Sequence, residues 1–361
     1  MVAAHGNNIY ILGWKFDLGN RRANYRTYTV DEIDILRSRR RRFEVGPFSD
    51  VSRTCGFYAI DQGKLVIVDF KDGNHSMRHR LFVVTDDGAE CPLYRCSKLQ
   101  MTEESYLSYC VTAREWAVAW GTNAQDDEAP PYCFVFPRDP RDGRATIDAG
   151  PLIAKANDHL DAMEGGGRSF PWISASDTCP SFVRGSSIGF LIYDGDHELM
   201  RAVCIDFATG EIVVKNIAPD AETGFPITAG EIIDGSVFQS SSDTLVVATD
   251  HWPSQSSKMA VLCMDTLRWS ELRGVVVPSD IDDLHAAVFP DGRVALYNES
   301  APLRRDARRI GCVEPPSRMA EELRIVANPW IVPSLKTLAS MAVAKAAQCD
   351  RALLEILAAR I

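Results

Sequence analysis

Two histidines four residues apart, His75 and His79, have the spacing with which one helical face can hold a metal ion. Gly73 and Asn74 precede them, a composition that favours a loop over a helix, and no third ligand stands nearby, so no metal site is expected. Asp158, His159 and Asp161 gather acid and base within four positions, but they fall in a Gly-rich stretch and read as solvated polarity. There is no GxSxG elbow to raise a nucleophile and no GxxxxGK[ST] loop to cradle phosphates. No CxxC pair is present either. The chain is therefore expected to carry no cofactor and no catalysis of its own. A site gathered from several strands at a channel mouth is the enzymatic alternative.

Charge is more informative than nucleophiles. Arg21, Arg22 and Arg26 form one basic group, with Lys71, Arg78, His79 and Arg80 in a second and Arg304, Arg305, Arg308 and Arg309 in a third. Asp126, Asp127, Glu128, Asp194, Asp196 and Glu198 supply acidic loops elsewhere. A basic sector on an acidic chain would steer an acidic peptide or a terminal carboxylate. Arg37, Arg39, Arg40, Arg41 and Arg42 make a separate run, read as a solvated turn, with nuclear import or phosphate binding as the alternative. The net charge of −10 and pI near 5.3 argue against general nucleic-acid binding.

No apolar run approaches the roughly 20 residues of a membrane span, and Met1–Trp14 does not read as a secretory leader. Cys204, Cys263 and Cys312 lie in apolar runs, where a thiol behaves as a small hydrophobe. The ten cysteines thus read as reduced, which implies cytosol or nucleus.

The elements that must position these groups are strands. A short apolar strand, a tight turn and a second apolar strand recur six times, starting at Val2, Phe57, Ser108, Ser181, Ser236 and Ala286. The second strands centre on Tyr10, Val66, Val118, Leu191, Val246 and Ala295. Third strands are expected at RTYTV, RLFVV, YCFVF, RAVCIDF, MAVLCMD and RIGCV, and fourth strands at RFEV, PLYRC, RATID, IVVKN, WSELRG and LRIVA. One step is longer, and its Gly-rich insertion from Ala156 reads as a mobile loop. Several strands are apolar at consecutive positions, as expected for strands covered on both faces. A repeat this long made only of strands points to an all-β fold, a six-bladed β-propeller over residues 1–327. Long loops between second and third strands would elaborate one face, with the basic sector on it.

In the fifth repeat, MAVLCMDTLRWSELRGV places Asp265 in a turn and Trp269 at the start of the last strand. This resembles the kelch repeat, and CIDFATGEIVVKN is a weaker copy. Where kelch blades carry a Gly-Gly pair, this chain has Gly13 and Gly121 in two repeats and Asp69, Asp194, Asp250 and Asn298 in the others. The resemblance implies a divergent kelch-like propeller that binds proteins.

From Pro333 the text turns helical: Leu335, Leu338, Ala339, Ala342, Val343 and Ala346 recur at three- and four-residue spacing. Residues 328–361 are expected to form a short helical extension. Ser334, Leu335, Ala339 and Val343 resemble the BC box, the helix by which substrate receptors of cullin-RING ubiquitin ligases bind elongin C, with Ala339 where that pattern prefers Cys. By that resemblance Leu335 would fill a pocket, Ala339 would permit close approach and Val343 would seal the next turn. Elongin B/C and a cullin would be partners, and a protein or peptide substrate would bind the long-loop face. The alternative is an interaction scaffold whose tail packs on the ring.

Overall fold

The computed structural model describes residues 1–218 except 18–24, 36, 38, 50–52, 72–74, 86, 103–104, 114, 124–130, 165–171, 174–180 and 195–198. Beyond these it describes 236–239, 244–251, 256–263, 266–271, 284–289, 293–298 and 323–326. Strands follow one another in antiparallel order within each sheet. The first sheet is β1 (Val2–His5), β2 (Asn8–Asp17), β3 (Tyr25–Asp34) and β4 (Arg39–Ser49). The second is β5 (Arg53–Asp61), β6 (Lys64–Lys71), β7 (Ser76–Val84) and β8 (Ala89–Lys98). The third is β9 (Ser105–Thr112), β10 (Trp116–Asn123), β11 (Tyr132–Pro137) and β12 (Ile147–Asp148). The fourth follows the helix α1 (Gly150–Met163) and is β13 (Ser181–Arg184), β14 (Ser187–Asp194), β15 (Leu199–Asp206) and β16 (Ile212–Asn216). The fifth is β17 (Ser236–Gln239), β18 (Thr244–His251), β19 (Ser256–Cys263) and β20 (Arg268–Glu271). The sixth is β21 (Leu284–Val288), β22 (Val294–Asn298) and β23 (Leu323–Val326).

The consecutive apolar residues of the second strands divide between two neighbours, because successive side chains leave a strand on opposite faces. On β2, Tyr10 and Leu12 pack toward the second sheet with Phe57, Leu65 and Ile67, while Ile9 and Ile11 pack toward the sixth with Ala287, Phe289 and Ala295. On β6, Leu65 and Ile67 face the first sheet, and Val66, Val68 and Phe70 meet Ala117, Ala119 and Phe134 of the third. On β14, Ile188, Phe190 and Ile192 join Val118 and Trp120 of the third sheet, while Leu191 packs toward Leu262 and Trp269 of the fifth. Each such buried Val, Leu, Ile or Phe contributes about 1.5–3 kcal/mol, so each of the first four sheets depends on both of its neighbours.

The first strands touch in order from β1 through β5, β9, β13 and β17 to β21, and β21 returns to β1. The buried guanidinium of Arg293 ties the sixth sheet to the first, donating to the Gly6 carbonyl (3.0 Å) and Asn7 Oδ1 (3.3 Å) from the turn between β1 and β2. Gly6 takes φ 62° there, a left-handed backbone that suits a residue without Cβ.

Three expectations need correction. The insertion at Ala156 is not a loop throughout: residues up to Met163 belong to α1, with Pro151 in its first turn and Ile153, Ala156, Asn157 and Leu160 buried on one face. Asn157 pairs with the Ile173 backbone, accepting its N–H (2.8 Å) and donating to its carbonyl (3.2 Å). In the sixth sheet, the stretch expected as a fourth strand, Leu323–Val326, pairs directly with β22 and is third; RIGCV lies outside the described residues. The loops between second and third strands are shorter than expected, because the ladders run further: β2 and β3 stay in register from Asn8–Asp34 to Asp17–Tyr25. Trp269 is buried against Phe182 and Leu191 of the fourth sheet. Asp265, the boundary at 327 and the tail 328–361 lie outside the described residues. Among the described residues no helix is long and apolar enough to cross a membrane.

Candidate partner-binding face

At the ends of β2 and β6, where the chain enters its second-to-third-strand loops, a polar network fills the contact between the first two sheets. Asp69 is fully buried on β6, opposite Thr54 of β5. Its Oδ2 accepts from Arg80 Nε (2.8 Å); its Oδ1 accepts from Thr54 Oγ1 (3.2 Å) and from the Tyr28 hydroxyl of the neighbouring sheet. Thr54 Oγ1 also accepts from Arg26 Nη1 (3.1 Å). Burial, reinforced by the Asp69 charge, pushes the Tyr28 phenol well above its ordinary range, so it remains a donor.

Aromatic rings cap both guanidinium groups. Arg26 Cζ lies 4.8 Å from the Trp14 ring, and Arg80 Cζ lies 4.2 Å from Phe48 and 4.9 Å from Tyr94. Trp14 is 52% exposed and Tyr94 48%, so two large rings face water over cations that are themselves buried. Rings fixed this way lose little side-chain freedom when a partner covers them. The arrangement suits an extended peptide with aromatic or acidic side chains.

The sequence-derived candidates divide sharply. Arg26 lies in β3, and Arg78, His79 and Arg80 lie in β7; all are buried, so this part of the expected basic sector is set into strands and is not displayed on loops. The physical reason is that the Arg80 guanidinium has a buried carboxylate partner and is covered by the Phe48 and Tyr94 rings. Arg21, Arg22, Arg304 and Arg305 lie outside the described residues, as do Ser334, Leu335, Ala339 and Val343. Trp14, Thr54 and Tyr94 escaped the sequence reading; the signal available for Trp14 was an aromatic at the wet end of an otherwise apolar strand.

His79 turns away from this network into the interface with the third sheet, where it stacks on Phe136 at 4.4 Å between ring centroids. His75 lies in the turn before β7, with φ 44°, against Phe70, whereas His79 is inside β7 against Phe136, so the two are not the neighbours on one helical face that a shared ion would need. Burial, aided by Arg95, drives the His79 pKa down to about 3. The folded value lies below the ordinary 6.5, so the neutral form stabilises the fold, in full above that value and progressively less as pH falls from 6.5 towards 3. Stability should drop by about 2 kcal/mol more between pH 7.5 and 5 in the native chain than in His79→Phe, read by urea titration at the two pH values. Equal pH slopes in the two chains would refute the assignment.

Only the first part of the arginine run is solvated: Arg37 lies exposed in the turn and Arg39 is exposed at the start of β4, whereas Arg40, Arg41 and Arg42 pair with carboxylates of β3. On β4, Arg40 Nε and Arg42 Nε both donate to Asp31 Oδ1 (3.1 and 2.9 Å), and Arg41 Nε donates to Glu32 Oε2 (2.8 Å). Asp31 and Glu32 are buried on β3, so strand pairing places three of these cations beside two carboxylates. On α1, Asp158 and His159 are exposed, while Asp161 accepts from the Trp172 indole N–H (2.9 Å). Among the described residues no three His, Cys, Asp or Glu side chains are gathered as a metal cage.

The antiparallel sheets, joined neighbour to neighbour through their first strands with β21 back against β1, make a β-propeller-type all-sheet fold. No known family profile matches the chain, and no curated protein matches it in sequence. Among solved structures it is similar to the β-propeller domain of the Trilobed protease from Pyrococcus furiosus, at 8% identity and a TM-score of 0.38, over 92% of this chain and 81% of that one. It is similar to an acylaminoacyl peptidase from Pyrococcus horikoshii at 9% identity and a TM-score of 0.42, over 82% of this chain and 42% of that one. TolB from Acinetobacter baumannii gives 10% identity and a TM-score of 0.38, over 80% of this chain and 60% of that one. The chain thus spans well under two thirds of the peptidase and somewhat under two thirds of TolB. The sequence expectation that the chain is not an enzyme is corrected, since the β-propeller domain of a protease and an acylaminoacyl peptidase are among the structures it is similar to.

Proposed function

We propose that this chain is a protein-binding, kelch-like propeller whose six sheets are six blades, and that the face carrying Trp14 and Tyr94 captures an acidic protein or peptide segment. The observation that supports this reading most is the pair of exposed rings held over the Arg26 and Arg80 guanidinium groups. A partner lying across the rings would gain apolar contact and the field of two cations whose positions are already set by Thr54 and Asp69. The tail reading belongs to the same proposal: Ser334, Leu335, Ala339 and Val343 would dock elongin B/C, and a cullin would join, so that the captured protein is presented for ubiquitination in cytosol or nucleus.

Two measurements separate the halves. A labelled acidic peptide with a free C-terminal carboxylate should bind the full chain and bind Trp14→Ala/Tyr94→Ala at least about tenfold more weakly, by fluorescence anisotropy. Unchanged affinity in the double variant, or no binding by the native chain, removes the face. Separately, the native chain should capture purified elongin B/C and Leu335→Asp should not; failure of the native chain to capture it removes the tail reading.

A further inference from the structure

On the opposite face, where the tight turns lie, the first and second sheets enclose a polar cleft of about 170 Å³. Asn8, Glu32, Asp34, Arg37, Arg39 and Arg41 line it from the first sheet, and Gln62, Gly63 and Val84 from the second. The wall is built. Tyr10 accepts the Gly63 N–H (2.9 Å), Gly63 in turn accepts the Val84 N–H (2.7 Å), and Arg41 Nη1 reaches the Thr85 carbonyl (3.5 Å) across the sheets.

The two carboxylates in this cleft are already engaged. Glu32, buried, accepts from Arg41 Nε (2.8 Å) and from Asn8 Nδ2 (2.8 Å). Asp34 accepts the Arg37 backbone N–H (3.1 Å), and its contact with the Arg37 guanidinium is long, at 3.7 Å. Three guanidinium groups against two carboxylates leave a positive concavity on a chain whose net charge is −10. Arg37 is 80% exposed at its side chain and Arg39 is exposed, so both can turn to a ligand without unfolding anything.

We propose that this cleft binds the phosphoryl group of an anionic ligand, with Arg37 and Arg39 as its donors and Arg41 as the fixed wall behind them. A carboxylate occupies one fork, whereas a phosphoryl group, with three acceptor oxygens and close to two charges, bridges two guanidinium groups at once. The site lies on the face away from Trp14 and Tyr94, so it stands or falls independently of partner capture there.

The test is calorimetric titration of the full chain with inorganic phosphate, at low and constant ionic strength held with chloride. Native protein should show saturable binding. Arg39→Gln should bind about tenfold more weakly and Arg37→Gln/Arg39→Gln more weakly still, whereas Arg141→Gln, an exposed arginine on another sheet, should match the native chain. Circular dichroism checks that each variant is folded. A phosphoserine peptide in a parallel titration distinguishes the source: tighter binding than phosphate that is also lost in Arg39→Gln places the group on a peptide, and equal binding places it on a small molecule. No saturable binding of phosphate or of the peptide by the native chain, or equal affinities in all four proteins, overturns the proposal.

Discussion

Asp69→Ala is expected to cost about 3–5 kcal/mol of folding stability, more than any other single substitution in the network between the first two sheets. The substitution leaves the buried Arg80 guanidinium without its carboxylate and strips Tyr28 and Thr54 of a shared acceptor. Asp69→Asn rescues only part of this: its amide oxygen can accept from Arg80 Nε while its NH2 donates to the Thr54 and Tyr28 hydroxyls, but the buried Arg80 charge is left without a counter-charge. The signature of a buried pair is non-additivity. Asp69→Leu/Arg80→Met should cost less than Asp69→Leu alone, because it removes both charges together instead of orphaning one. Urea unfolding midpoints, with an unchanged slope, give these differences. If the double variant costs the sum of the single ones, the pair is not coupled and the network does not fix the Arg80 position on which the ring-capped face depends.

The order of strands was legible because it rests on short-range rules. Tyr10, Val66, Val118, Leu191, Val246 and Ala295, expected at the centres of second strands, all lie in second strands of their sheets. Their neighbours are apolar on both sides since each strand is covered on both faces, and that pattern needs no knowledge of the partner sheet. The helix α1 was hidden by its surroundings. Three glycines, Gly165, Gly166 and Gly167, follow it, and they outweighed an apolar spacing of Ile153, Ala156 and Leu160 that is plainly helical.

The site was much less legible, for a reason of geometry. Asp69 and Arg80 are eleven positions apart on adjacent strands, and Tyr28 comes from another sheet altogether. Hydrophobic periodicity says nothing about such pairings. Charge alone placed Arg26, Arg78 and Arg80 in a sector open to an acidic partner, yet a guanidinium is accommodated inside when a carboxylate or hydroxyl receives it and rings cover it. The same logic overturned the reading of Arg40, Arg41 and Arg42: their acidic partners Asp31 and Glu32 are distant in sequence and adjacent in register. Asp69 itself was visible only as the residue standing where a kelch blade would carry glycine.

Gly189→Ala should be the second most damaging change, at about 1–3 kcal/mol or more. Gly189 of β14 is directly opposite Phe182 of β13, and the Phe182 ring lies over it. A methyl group at position 189 would come within 1.9 Å of the Phe182 Cζ. That ring has nowhere to go, since it is packed among Leu191, Met200, Ile217, Leu262 and Trp269 between the fourth and fifth sheets. Gly13→Ala is the control. Its added methyl meets Thr29 Oγ1 at 2.8 Å, again across a strand pair, but Thr29 is only partly buried and its hydroxyl can rotate away. A cost of about 0.5 kcal/mol or less is expected there. Shrinking the obstacle should recover much of the loss: adding Phe182→Leu to Gly189→Ala should destabilise far less than adding it to the native chain, a coupling of about 1 kcal/mol or more. Equal losses for the two glycine variants would mean that the contact between the fourth and fifth sheets is looser than this packing requires, and that these two sheets do not lean on each other.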